Sequence, residues 1–147
     1  MPNTAPQARP QVLVLWVLWF AMTCAIVFYQ VALGHGWLKG DDARPMLGYP
    51  LIWLCVAWLA VAAAVRWAVI PRVTDSRRLL ICLIIGLAFS ESVEFFGLFL
   101  FPADMPTTKM GLFLLSLLSA LQFMPTYANT MQVSSISNES IAPPFLP

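Results

Sequence analysis

The segment from Leu79 to Phe101, LLICLIIGLAFSESVEFFGLFLF, limits what this chain can become more than any other stretch. A helix rising about 1.5 Å per residue needs roughly 20 apolar residues to cross a hydrocarbon core of about 30 Å, and this segment meets that length. Yet Glu91 and Glu94 stand near its middle. A carboxylate at the centre of a membrane helix costs about 2.5–3.5 kcal/mol on insertion scales. Such residues therefore face a bundle interior or a wet cavity, and they mark functional sites by default. A segment of this kind needs other apolar helices to cover it.

The rest of the chain supplies them. Val12 to Leu33 carries no charge. A secretory signal has an apolar region of only ~7–15 residues followed by small residues at a cleavage site. Here the run is longer and bulky Phe28 and Tyr29 occupy its far end, so a retained first span is expected. Gly34 to Gly48 is rich in glycine with a proline and mixed charges, which predicts a loop. Tyr49 to Ile70 forms a second apolar run, alanine-rich in its second half and closed by Pro71. The third span ends at Pro102, and a fourth is expected from Thr107 to Tyr127. Its apolar core, Gly111 to Met124, is the shortest of the four, and Pro125 should kink or end it.

The resulting organisation is a disordered tail over 1–11, one membrane domain over 12–127 with spans at 12–33, 49–70, 79–101 and 107–127, and a polar tail over 128–147. These runs are about twice the ~10 residues of a barrel strand and do not alternate, which excludes a β-barrel. The fold class expected is an all-α membrane protein, an up-down bundle of four transmembrane helices, with the lipid bilayer as its solvent. Composition agrees: 60% of residues are hydrophobic and 10% charged, against about 25% charged in a soluble domain. A formal net charge of +1 with no basic stripe argues against nucleic acid as a partner.

Basic residues set the expected orientation. Arg9, Arg66, Arg72, Arg77 and Arg78 fall on one side, while Lys39, Arg44 and Lys109 share the other with Asp41, Asp42 and Asp104. Cytoplasmic loops carry the excess of arginine and lysine, so both termini are expected to face the cytoplasm, most simply across a bacterial inner membrane.

Few groups are left to carry chemistry. Cys24, Cys55 and Cys82 lie in three different spans without paired spacing, which gives neither a disulfide framework nor a zinc site. His35 is the single histidine, so neither a carboxylate–histidine di-metal site nor a bis-histidine haem can be assembled within the chain. No nucleophilic triad or phosphate-binding glycine loop is present. A non-enzyme without a cofactor is expected.

Glu91 and Glu94 lie three residues apart and therefore ~60° apart around a helix, on neighbouring faces. Gly86, Ser90 and Gly97 fall beside Glu94 on the same wheel, forming a narrow stripe of small and polar residues that reads as a helix–helix seam. Deprived of water, at least one of the pair should carry its proton at neutral pH, and the two should titrate as a coupled unit. The fourth span offers Ser116, Ser119 and Gln122 at steps of three, a polar ridge able to hydrogen-bond a carboxyl; Thr23 and Gln30 on the first span are further options.

The stretch GLAFSESVEFFGL, Gly86 to Leu98, resembles the carboxylate-bearing helix of rotary ATPase proteolipid subunits. The matching positions are Gly86, Leu87, Ala88, Glu91, Phe96, Gly97 and Leu98. The resemblance implies that Glu91 would be a reversible proton or sodium site. In four-span members of that family the carboxylate sits in the fourth span, whereas here it is in the third, and Glu94 stands where they have a small residue. As a whole the chain is also similar to small four-span bacterial membrane proteins with a glutamate-bearing third helix, which implies a fold and a location.

Two functions are compatible with these residues. In the first, the protein is a non-catalytic subunit or scaffold of a membrane assembly, a homo-oligomer or part of a larger complex, and its glutamates hold helices together. In the second, it handles protons or cations, with Glu91 as the titrating site and Glu94 as its coupled partner.

Overall fold

The computed structural model describes residues 8–34, 39–43 and 45–126. It contains four helices in sequence, and among the described residues there is no strand. Helix α1 is Ala8–Ala32. Helix α2 is Leu51–Ala64, prolonged by a π-helical turn, Val65–Val69, and a 3-10 turn, Ile70–Arg72. Helix α3 is Ser76–Phe95, prolonged by a second π-helical turn, Phe96–Leu100. Helix α4 is Pro106–Leu121.

Three of these helices, over Val12–Ala32, Leu51–Arg72 and Arg77–Leu100, are long and apolar enough to cross a membrane, which marks the chain as a helical membrane protein. The expected fourth span is a shorter helix. At 16 residues α4 is roughly 24 Å long, short of a core of about 30 Å. Turns at its end explain the difference: Phe123 N–H donates to the Ala120 carbonyl (3.1 Å), Met124 N–H to the Leu121 carbonyl (3.1 Å), and Pro125 follows. At the other end of the chain α1 starts at Ala8, ahead of the expected Val12. Pro10 is accommodated because it lies in the first turn, where backbone N–H groups lack intrahelical partners anyway. Of the tail expected over 1–11, residues 8–11 belong to α1, while residues 1–7 and the tail expected over 128–147 lie outside the described residues.

Local signals account for the remaining ends. Asp75 caps α3, its carboxylate accepting from the N–H groups of Arg77 (3.3 Å) and Arg78 (3.4 Å). Helix α4 has no side-chain cap of its own and starts with Pro106, a favoured first helical residue. Its cap comes from the loop between α1 and α2. Asp42 accepts from Thr107 N–H (2.9 Å), from Thr108 N–H (3.1 Å) and from the Thr108 hydroxyl. Gly40, at φ 135°, makes the backbone turn that side-chain-bearing residues rarely adopt, and its carbonyl accepts from the Thr107 hydroxyl (2.6 Å).

Helix α3 is the centre of the packing. It contacts all three other helices, and 39% of its spanning window is buried, against 11% for α1 and 17% for α2. Named contacts fix the directions. Tyr29 packs against Phe95 with tilted rings whose centroids are 4.8 Å apart, and Gly34 lies against Leu98, so α1 and α3 run parallel. Tyr49 lies against Phe101 (5.1 Å) while Trp58 packs on Phe89 (5.3 Å), so α2 runs antiparallel to α3. Ser90 meets Ser119 and Gly97 meets Leu112, so α4 is antiparallel as well. Arg66, Arg72, Arg77 and Arg78 thus gather at the end where α1 begins, and Lys39, Asp41, Asp42, Asp104 and Lys109 gather at the other. Arg44 lies outside the described residues.

Two apolar clusters fill the interior. The first spans all four helices toward the arginine-bearing end and includes Ile26, Ala62, Leu83, Leu87, Phe113 and Phe123. The second lies between α2, α3 and α4 toward the other end, around Ile52, Cys55, Val93, Met105 and Leu112. The other two thiols stay apart, Cys24 exposed and Cys82 half-buried.

Candidate functional site in the seam between helices three and four

The seam is built on one face of α3. Gly86, Ser90, Glu94 and Gly97 recur at steps of three and four, so they form a single stripe, and all four are buried. The small members let α4 approach. A Cβ placed on Gly86 would run into the Phe123 ring, and one on Gly97 would come within 3.3 Å of Leu112 Cβ. The stripe expected from the wheel is therefore the helix–helix seam, with the Phe123 ring, from the turn after α4, filling the space above Gly86.

Hydroxyl groups supply the hydrogen bonds across it. Ser90 Oγ donates to the Gly86 carbonyl (3.0 Å) and, its single proton so engaged, accepts from Ser119 Oγ at 2.7 Å. Ser116 Oγ donates to the Ser90 carbonyl (2.8 Å). Gln122 Nε2 donates to Ser119 Oγ (3.2 Å). At the arginine-bearing end Gln122 is held in turn: Arg66 Nε donates to its carbonyl and Trp67 Nε1 to its Oε1 (3.2 Å). The Arg66 guanidinium lies 5.1 Å from the centre of the Trp67 ring. Trp19 Nε1 reaches across from α1 to the Ala120 carbonyl (2.9 Å).

The two glutamates take different positions, separated by the 60° between them. Glu94 is 1% exposed, while Glu91, turned off the stripe, is half-buried. Glu94 Oε1 is a buried oxygen with no hydrogen-bond partner among the described residues. The expected carboxyl–hydroxyl bonds to Ser116, Ser119 or Gln122 are not formed, because those side chains are already engaged with Ser90, with one another and with the end of α2. On α1, Thr23 turns back to the Trp19 carbonyl (2.8 Å) and Gln30 is buried. A buried acceptor without a partner costs about 1–3 kcal/mol and calls for an explanation such as a role in catalysis or binding.

By helix rise Glu94 lies about 9 Å from Leu100 and about as far from the middle of the span, displaced from the middle toward the aspartate-bearing end. One turn beyond it, Lys109 Nζ reaches in from α4 to the Leu98 carbonyl (3.5 Å), inside the π-helical turn Phe96–Leu100. π-Helical turns often occur at functional sites. Sequence reasoning used Lys109 and Asp42 only for orientation and gave no bonding role to them or to Trp67 and Trp19. Their partners are 11 to 101 positions away, and no local pattern encodes contacts over such separations.

Among the described residues no three His, Cys, Asp or Glu side chains come together as metal ligands. The chemistry within reach of the seam is that of a single carboxyl group in an apolar setting, flanked by a hydroxyl chain on one side and an ammonium group on the other. Comparison with protein-family models, with curated proteins and with solved structures finds no match to this chain.

Proposed function

We propose that the protein is a four-span helical bundle, with both termini on the cytoplasmic side of a bacterial inner membrane, that handles a proton or a small cation at Glu94. The observation that carries this reading is the buried, unpartnered Oε1 of Glu94 in the α3–α4 seam. A glutamate retained for helix adhesion would be spent on hydrogen bonds across the seam, and here serines make those bonds instead. A carboxyl that exchanges a proton needs a free oxygen, an apolar surround and a polar neighbour. The surroundings of Glu94 supply all three, which moves the titrating role from Glu91 to Glu94.

A hydrophobic carbodiimide, which attacks a protonated carboxyl in an apolar setting, tests the assignment. Glu94 should be modified in the membrane-embedded protein at a rate that falls as pH rises, and Glu94→Gln should abolish the modification while the protein still inserts. Labelling confined to Glu91, or none at all, would overturn it.

A second reading, as an assembling subunit, is favoured by α4. Leu114, Leu115, Leu118 and Leu121 are exposed on a helix too short to cross the core alone. A copy of the same chain, or a neighbouring subunit, would cover this ridge and carry the polar ends of α4 to the interface. The particle mass in native-like lipid checks it.

A further inference from the structure

Glu94 lies about 9 Å from one end of its span but far from the arginine-bearing end, and the long side of that path is not uniformly apolar. Gln122 and Ser119 from the α4 side and Ser90 from α3 bridge it. Gln122 sits half-buried at the end of α4, Ser119 is one turn inward, and Ser90 faces Ser119 at 2.7 Å. Ser90 is fully buried and Ser119 nearly so, at 7% exposed. The next residue of the stripe is Glu94, at i+4 from Ser90. Side chains of α-helices lean back toward the turn before them, so the Glu94 carboxyl tilts onto the Ser90 turn, and residues four apart have Cβ atoms only about 5–6 Å apart. Glu94 thus stands one helical turn from Ser90 without bonding it, its Oε1 left unpartnered, and Ser90 belongs to a hydroxyl pair whose other end meets the half-buried Gln122.

We propose that Ser90 and Ser119 form a proton relay connecting Glu94 with water at the arginine-bearing end of the bundle, with Gln122 as a positioning residue. The proposal rests on Glu94 being the group that titrates. In the outward direction the Glu94 side chain, unbonded at rest, rotates onto Ser90 Oγ, and its O–H bond breaks as the proton passes across. Ser90, its hydroxyl turned from the Gly86 carbonyl toward Ser119, releases its own proton to Ser119 Oγ, and Ser119, turned toward the end of the bundle, releases its proton to a water molecule beside Gln122. One proton leaves the carboxyl and one reaches water. Both serines end as neutral hydroxyls, and rotation about their Cβ–Oγ bonds restores the starting orientation. Gln122 keeps Ser119 aimed at Ser90 by donating to it, and is itself fixed by Trp67 and Arg66. The other ionisable groups near this stretch take no part in the relay: Glu91 on α3, Tyr29 on α1 against Phe95, Cys55 on α2, and Lys109 on α4 at the Leu98 carbonyl.

The test uses the full-length protein in lipid bilayers and the infrared C=O stretch of the protonated Glu94 carboxyl, identified by its loss in Glu94→Gln. Transfer to heavy water shifts this band as the O–H exchanges, and the rate of the shift is the readout. Ser119→Thr and Ser119→Val add nearly the same bulk but differ in the hydroxyl. Ser119→Thr should exchange within about twofold of the parent, whereas Ser119→Val and Ser90→Ala should slow exchange about tenfold. Ser92→Ala, on the same helix but off the seam, should leave the rate unchanged; its hydroxyl only bonds back to the Ala88 carbonyl (2.7 Å). Equal rates in Ser119→Thr and Ser119→Val, whether both fast or both slow, would overturn the relay while leaving Glu94 as the titrating site. Absence of a Glu94-dependent acid band in the parent would overturn the site assignment and the relay together.

Discussion

Replacing Glu94 with leucine should make the protein more stable, and the sign of that change separates a working site from helix adhesive. Glu94 is 1% exposed, and its Oε1 has no partner among the described residues. Truncating a carboxyl that bridged two helices would orphan the groups it bonded, with a loss of about 1–3 kcal/mol. No such bridge is present: the hydroxyls of Ser90, Ser116 and Ser119 are bonded elsewhere and keep their partners when Glu94 is replaced. What leucine removes is the burden of a desolvated polar group, again about 1–3 kcal/mol. The change in shape is nearly volume-conserving and should take back less than about 1.5 kcal/mol. The net expectation is a stabilisation of about 1–2 kcal/mol, together with loss of whatever activity depends on proton exchange, the usual opposition between stability and function at a strained site. Glu94→Gln should be close to neutral, since the amide leaves a polar group at the same place. Reversible unfolding in mixed micelles, monitored by tryptophan fluorescence, gives the free-energy difference directly. A destabilisation of 1 kcal/mol or more in Glu94→Leu, taking ~1 kcal/mol as the scale of one hydrogen bond, would refute the reasoning and return Glu94 to the role of helix adhesive.

Three further outcomes follow from the packing. Gly86→Ala forces a Cβ into the Phe123 ring. Overpacking of this kind costs about 1–3 kcal/mol, partly offset by the ~1 kcal/mol gain in helix propensity, and Phe123→Leu in the same chain should remove most of the loss when the two are compared by the same unfolding assay. Asp42→Ala removes the cap that the first loop places on α4 and should cost about 0.5–2 kcal/mol, with Asp42→Asn retaining most of it; thermal unfolding in detergent measures both. For topology, a cysteine at Ser76 in a chain otherwise free of reactive thiols should be protected from an impermeant thiol reagent in intact cells, while one at Asp41 should label; the reverse pattern would invert the orientation.

The amino-acid sequence by itself left open where α1 begins and where α4 stops, but it determined the helices, most of their boundaries and the segregation of charge. Each of these is local. A run of apolar residues must close its own backbone hydrogen bonds in lipid, Asp75 caps the turn that follows it, Pro71 and Pro102 stand where helices stop, and the arginines flank the segments whose ends they share. The stripe Gly86, Ser90, Glu94 and Gly97 was legible for the same reason, because helical periodicity alone places those residues on one face. Which glutamate goes inside was decided only by the tertiary structure. Glu91 and Glu94 differ by a rotation of ~60°, and a helical wheel shows both faces without saying which one α4 will cover. The covered face followed from close approach at Gly86 and Gly97, which brought Phe123 and Leu112 onto the stripe and left Glu91 at its edge. Partner choice was equally non-local. Ser119 and Gln122 stood ready to bond a carboxyl, yet the distances of the assembled bundle gave Ser119 to Ser90 and Gln122 to Ser119, Arg66 and Trp67. The capping of α4 by Asp42, 65 positions upstream of Thr107, likewise depends on two loops meeting at one end of the bundle. Hydropathy and periodicity act over one or two turns of chain, whereas the environment of a buried carboxyl is set by whichever distant side chains arrive beside it.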